Sequence, residues 1–154
     1  MRIVSGGQTG VDRAALDAAM AAGLAVGGWC PRGRHAKDGP IHDRYPLHET
    51  PAFEYRLRTE WNVRDADGTL ILTEGPFTGG TLATAELARD GYRRPFLVLD
   101  LHARPDATAV LTWLTAHHIQ VLNVAGPRES QCPGIQGRAM AFLGEVFDGL
   151  AGVA

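Results

Sequence analysis

The sequence predicts an α/β fold: a parallel sheet of about five or more strands with helices on both faces. Three observations carry this. Short apolar runs alternate with segments of helical periodicity along the whole chain. At three places a loop rich in Gly, Ser or Thr joins an apolar run to the helix that follows. The length, 154 residues with 45% hydrophobic, suits one domain over 1–154 with its own core. Strands alternating with helices imply right-handed crossovers, which cover a parallel sheet on both sides.

The elements follow in order. Arg2 to Ser5 reads as a strand. Val11 to Ala22 reads as a helix, because Val11, Ala15, Ala18, Ala19 and Ala22 share one face, and Gly23 stops it. Leu24 to Trp29 reads as the second strand. Residues 30–52 hold Pro31, Pro40, Pro46 and Pro51 and read as a long loop. Phe53 to Asp65 returns to helical spacing, with Phe53, Leu57 and Trp61 as an apolar stripe and Arg58, Asn62 and Asp65 as a polar one. Gly68 to Thr73 is the third strand, followed by a helix to about Asp90. Pro95 to Leu101 is the fourth. Pro105 suits the first turn of a helix with Val110, Trp113, Leu114 and His117 on one face. Gln120 to Ala125 is the fifth strand. Ile135, Ala139, Phe142, Leu143, Val146 and Leu150 mark the last helix.

Composition narrows the function. A net charge of −2 gives no overall electrostatic case for nucleic acid or an anionic membrane. No apolar stretch approaches the ~20 residues that span a bilayer, and the N-terminus does not read as a signal peptide. Cys30 and Cys132 make no disulfide framework. A cytoplasmic protein is expected. The two cysteines lack further ligands at metal-site spacing, and neither HExxH nor CxxC occurs, so no metal site is expected.

The chemistry lies in the three loops, which should emerge at the carboxyl ends of the strands, where open parallel sheets bind ligands. They are Ser5-Gly6-Gly7-Gln8-Thr9-Gly10, Gly75-Pro76-Phe77-Thr78-Gly79-Gly80-Thr81 and Gly126-Pro127-Arg128-Glu129-Ser130-Gln131. Helix N-termini offer free N–H groups and partial positive charge to phosphate-like anions. Backbone amides of Gly6, Gly7, Thr9 and Gly10 are expected to grip one anionic group, and Gly79, Gly80 and Thr81 the same or a second. Gln8, Asp12, Arg13 and Asn62 complete the candidate binding set, with Arg32, Arg58 and Arg128 as counter-charges. Arg32, Arg34, His35 and Lys37 form a basic lid. The first loop matches neither the dinucleotide fingerprint nor the GxxxxGK[ST] phosphate loop. Glu86 and Asp12 are the candidate catalytic acids.

The stretch SGGQTGVDRAALDAA, Ser5 to Ala19, resembles the start of the molybdenum-cofactor carrier family. Further matching segments are Gly28 to Arg34, Asp38-Gly39, Tyr45 to Leu47, Arg58 to Val63, Asp67 to Ile71, Gly79 to Thr81 and Leu122 to Ser130. The resemblance covers nearly the whole chain. It implies a Rossmann-like, doubly wound sheet in the SLOG superfamily, which also holds the lysine-decarboxylase-like cytokinin-activating enzymes and the DNA-processing protein A fold. It implies a nucleotide-like or pterin-nucleotide ligand over the glycine loops, and a homodimer or larger assembly. The cytokinin-activating enzymes cleave an N-glycosidic bond with an arginine and the glutamate of PGGxGTxxE. Here Thr78 to Glu86 keeps the Gly-Gly pair, lacks the GT step and is displaced.

The expected function is a carrier for a phosphate-bearing cofactor, either the molybdenum cofactor or another nucleotide derivative. The alternative is a nucleotide N-glycosidase that releases base from a nucleoside monophosphate. A ligand-sensing regulator that acts through a partner is the third reading.

Overall fold

This computed structural model describes residues 1–151. The elements run β1 (Arg2–Val4), α1 (Val11–Ala21), β2 (Ala25–Gly27), β3 (Trp29–Cys30), β4 (His35–Ala36), β5 (Gly39–Pro40), β6 (His48–Glu49), α2 (Tyr55–Asp65), β7 (Gly68–Thr73), α3 (Gly79–Glu86), β8 (Phe96–Asp100), α4 (Ala107–Ala116), β9 (Val121–Ala125) and α5 (Ile135–Ala151). Five strands form one parallel sheet in the order β2-β1-β9-β7-β8. Ile3 lies between Val26 and Leu122, and Leu70 between Val124 and Leu97.

The order has a simple reading. If β9 is counted first and the count passes on to β1, β2, β7 and β8, the sheet runs 3-2-1-4-5, the doubly wound order. The direction of winding reverses between β9 and β7, and the crevice at such a switch point lies beyond the carboxyl ends of the strands.

The two faces differ in chemistry. Leu70 and Leu72 of β7 and Leu122 and Val124 of β9 join Val11, Ala15, Ala18, Val110, Leu114, Ile135, Phe142 and Phe147 in an apolar core under α1, α4 and α5. Alanines on α1 let it lie close to the sheet and to α5. By strand alternation, Thr69, Ile71, Asn123 and Ala125 face the other way, toward α2 and α3. Several polar residues are buried on that side, and Asn123 Nδ2 donates to Thr69 Oγ1 at 3.3 Å.

Some elements differ from expectation. The second strand breaks at Gly28, whose φ is +124° and where a Cβ would lie 2.5 Å from the Ser5 carbonyl oxygen. The 30–52 segment is ordered, with β3 beside β6 and β4 folded on β5. Its Ile41, Tyr45 and Leu47 bury against Leu16 and Cys30 in a second small core. Helix α2 turns its polar side inward: Asn62 is buried, Arg58 and Thr59 half-buried, and Phe53 of the expected apolar stripe is 56% exposed. Helix α3 ends earlier and passes into a π-helical turn over Leu87–Gly91, closed by the Tyr92 N–H on the Leu87 carbonyl at 2.8 Å. Helix α4 begins after Asp106, which accepts from the Thr108 N–H at 2.8 Å, so the cap lies one residue beyond Pro105.

Candidate functional site

The loops after β1, β7 and β9 converge on one cleft beyond the switch point. Gln8 and Asp12 line it from the first loop, Gly80, Thr81 and Thr84 from the second, and Gly126, Arg128 and Gln131 from the third. Tyr55 and Arg58 of α2 close its fourth side.

From Gln8 to Val11 the first loop spends its donors inside the protein. The Gln8 N–H donates to Asp12 Oδ2 at 3.3 Å, Thr9 to Gln8 Oε1 at 3.0 Å, Gly10 to Gln136 Oε1 at 2.9 Å and Val11 to the Pro127 carbonyl at 3.2 Å. This corrects the expected anion grip by Thr9 and Gly10. The glycines also serve close packing. A Cβ at Gly6 would lie 1.8 Å from Arg58 Nη1, one at Gly7 2.7 Å from Leu47 Cδ1, and one at Gly10 2.3 Å from the Pro127 oxygen. The third loop is likewise closed: Glu129 accepts from the N–H groups of Gly134 and Gln136 and caps α5.

The second loop is open. Thr78, at the N-cap of α3, makes no side-chain capping bond. The N–H groups of Gly79, Gly80 and Thr81 therefore have no helical partner. A Cβ at Gly79 or Gly80 would meet nothing within 4 Å, so the backbone there is bare toward solvent.

The charges sort in the same way. Asp12 and Arg58 form an ion pair at 2.6 Å, with side-chain exposures of 6% and 14%. Arg13 donates to Asp38 at 2.5 Å and to the Gly7 carbonyl at 2.9 Å, which latches the 30–52 segment onto the first loop. Gln8 helps the latch, accepting from the Lys37 N–H at 2.8 Å. Its buried Nε2 is left without a partner beside the cleft. Arg34 spends its guanidinium on the carbonyls of His42, Tyr45 and Leu47. Arg32 is exposed and lines neither this cleft nor the groove beside it, so the segment is a strut rather than a basic lid over the site. Asn62 is consumed too: Oδ1 accepts from the Trp29 N–H at 2.8 Å and Nδ2 donates to the Trp29 carbonyl at 3.0 Å. Among the described residues Arg128 is the cleft arginine whose side chain has neither hydrogen bond nor ion pair.

Glu86 does not line this cleft. It lies in a wider groove that adjoins it, shares Tyr55, Gly80 and Arg128 with it, and also holds Arg56, Ala83, Leu87 and Asp90. Cys30 and Cys132 belong to different apolar clusters, and burial pushes the Cys30 thiol above its ordinary value. Among the described residues no group of three or more His, Cys, Asp or Glu is arranged to hold a metal ion. No helix among them is long and apolar enough to cross a membrane.

The model of the Circularly permutated YpsA SLOG family matches residues 3–147. The chain belongs to this family. Counted from β9, the sheet order is the doubly wound one. A crystal structure from Syntrophus aciditrophicus SB, of a "Putative molybdenum carrier protein", is similar: 47% identity, a TM-score of 0.89, and coverage of 95% of this chain and 93% of that one. No curated protein matches the sequence. Within this SLOG-family chain, sequence reasoning left Tyr55, Thr84 and Ala125 out of the candidate set, and took only Arg128 from the loop that also brings Gly126 and Gln131 to the cleft. A tyrosine just after Pro51-Ala52-Phe53-Glu54 carries no local signal. Gly126 was legible as a loop glycine, and its reason is packing, since a Cβ would lie 2.2 Å from the Leu72 oxygen.

Proposed function

We propose that this protein binds and carries a small molecule that ends in a phosphate group, with the phosphate between the first turn of α3 and Arg128. One observation carries the reading. Of the three glycine loops at the switch point, the one whose helix start has no side-chain acceptor lines the same cleft as Arg128, an arginine unpaired among the described residues. Backbone N–H groups at a helix start and a guanidinium are complementary to a phosphate in both charge and geometry. The buried, unpartnered Nε2 of Gln8 adds a donor beside the same cleft. Asp12 does not spoil the site, because Arg58 neutralises it.

The molybdenum cofactor is one cargo of this class, and the name of the Syntrophus relative favours it. The donor set fits the phosphate end of such a molecule: Gly80, Thr81 and Arg128 would hold it, and metal within the cargo would keep the cargo's own ligands. Carriage requires no chemical step from the protein.

Glu86 supports a second reading. It is a carboxylate with no hydrogen bond or ion pair among the described residues, in the groove next to the phosphate cleft, where it could assist departure of a base from a nucleoside monophosphate.

Calorimetric titration of the purified chain with ribose 5-phosphate and with inorganic phosphate tests the binding reading. Arg128→Ala should weaken both by about tenfold or more, the loss of a charge-assisted hydrogen bond. Absence of binding by wild-type protein, or full affinity in Arg128→Ala, overturns it. Incubation with AMP separates the two readings. Free base and ribose 5-phosphate that disappear in Glu86→Ala would make the protein a hydrolase.

A further inference from the structure

We infer that the groove adjoining the phosphate cleft selects a planar heterocycle with two adjacent N–H donors, of the guanine or pterin type, through the carboxylate of Glu86. The inference rests on the binding reading above, because the heterocycle would belong to the same molecule as the phosphate.

The groove has the size for it. Its volume is about 650 Å³, within the range of small-molecule sites. It is continuous with the phosphate cleft, since both contain Tyr55, Gly80 and Arg128. Its walls suit a flat ring. Tyr55 lines one side, its ring centroid 5.4 Å from the Arg58 guanidinium carbon and 5.0 Å from the His35 ring centroid. Ala83 and Leu87 supply apolar surface, and the bare backbone of Gly79 and Gly80 leaves room for close approach. The π-helical turn begins at Leu87, directly after Glu86, so α3 changes its winding inside the groove.

The polar groups decide which ring fits. Two carboxylates line the groove, Glu86 and Asp90. Asp90 is occupied by Arg89, which donates to it twice, at 2.9 and 2.8 Å. Glu86 has no hydrogen bond or ion pair among the described residues. An ionised carboxylate accepts hydrogen bonds and donates none. Guanine and pterins present a ring N–H beside an amino group, two donors that match two carboxylate oxygens. Hypoxanthine presents the ring N–H alone. Adenine places a lone pair beside its amino group, and that lone pair would face the carboxylate. Affinity should therefore fall in the order GMP, IMP, AMP.

Titration of the full chain with GMP, IMP, AMP and ribose 5-phosphate, as wild type and as Glu86→Gln, tests this. GMP should bind about tenfold more tightly than AMP, with IMP between, and the ratio should fall to within about twofold in Glu86→Gln, as expected for one lost charged acceptor. Glu86 is exposed on the surface, and a thermal melt checks that the variant folds. Equal affinities for the three nucleotides with ribose 5-phosphate still bound would overturn the heterocycle inference alone. A GMP preference that survives in Glu86→Gln would also overturn it. If neither ribose 5-phosphate nor any nucleotide binds, the phosphate reading falls and takes this inference with it.

Discussion

Asp12 and Arg58 come from elements 46 positions apart and meet almost without water. Removing one partner strands the other as a buried charge, whereas removing both leaves neutral groups. Asp12→Asn and Arg58→Met should each cost about 3 kcal/mol or more, and the double variant should recover most of the loss. Urea denaturation of the four proteins measures it. Single losses near 1 kcal/mol would mean that the pair behaves like a surface one. Both residues were legible in the sequence as members of a site, but their pairing was not, because periodicity reports neighbours along an element and nothing about contacts across the fold. The glycines carry the same lesson. A run such as Gly6-Gly7 announces that something approaches the backbone closely. The sequence does not say whether the visitor is a ligand or, as at Gly6, the protein's own Arg58 guanidinium.

Helix ends decide which loop can receive an anion. The start of α1 is closed by Gln136 and Pro127, the start of α5 by Glu129, and the start of α3 by no side chain. At the level of residue type the three loops look alike, so the sequence placed them on one edge and did not say which helix start lacks a side-chain cap. Helix α2 was left without an orientation for a related reason. Arg58 borders the cleft and Asn62 pins Trp29, while the spacing alone gave two stripes and no orientation for them. The Glu129 cap yields a prediction at this scale. The N–H groups of Gly134 and Gln136 hold its carboxyl below the ordinary value of 4.5. A depressed carboxyl contributes stability that is full above the unfolded value and is lost as pH falls through the lower folded one. Melting temperature should thus drop on acidification below about pH 5, and Glu129→Gln should start lower at neutral pH with a flatter acid limb. The carboxylate is open to solvent, so the difference is modest. Parallel acid limbs in the two proteins would show that the cap does not matter to folding.

At the scale of the whole molecule, the connectivity and the spatial arrangement are separate properties. Alternating runs and helices made the layered α/β architecture readable. They did not fix strand order, because β9 pairs with β1 and β7 across most of the chain. That order becomes doubly wound only when the chain is read from β9 onward. Met1 and Leu150 line one shallow depression together with Leu114 and Ile119, so the two ends of the described chain are neighbours at the face opposite the cleft. The cleft depends on where β9, β1 and β7 end, and no step in its geometry uses the break between α5 and β1. A permutant that joins the two ends by a short Gly/Ser linker and opens the turn between α4 and β9, at the exposed His117-His118, should keep every contact of the sheet and of the cleft. Exposed turns and adjacent ends are the conditions under which permutation is tolerated. The permutant should unfold in one cooperative transition by circular dichroism and bind ribose 5-phosphate with the affinity of the parent. Cooperative folding with lost binding would mean that the cleft depends on the present connectivity. Failure to fold in several linker lengths would mean that the α5-to-β1 break is itself needed for the architecture.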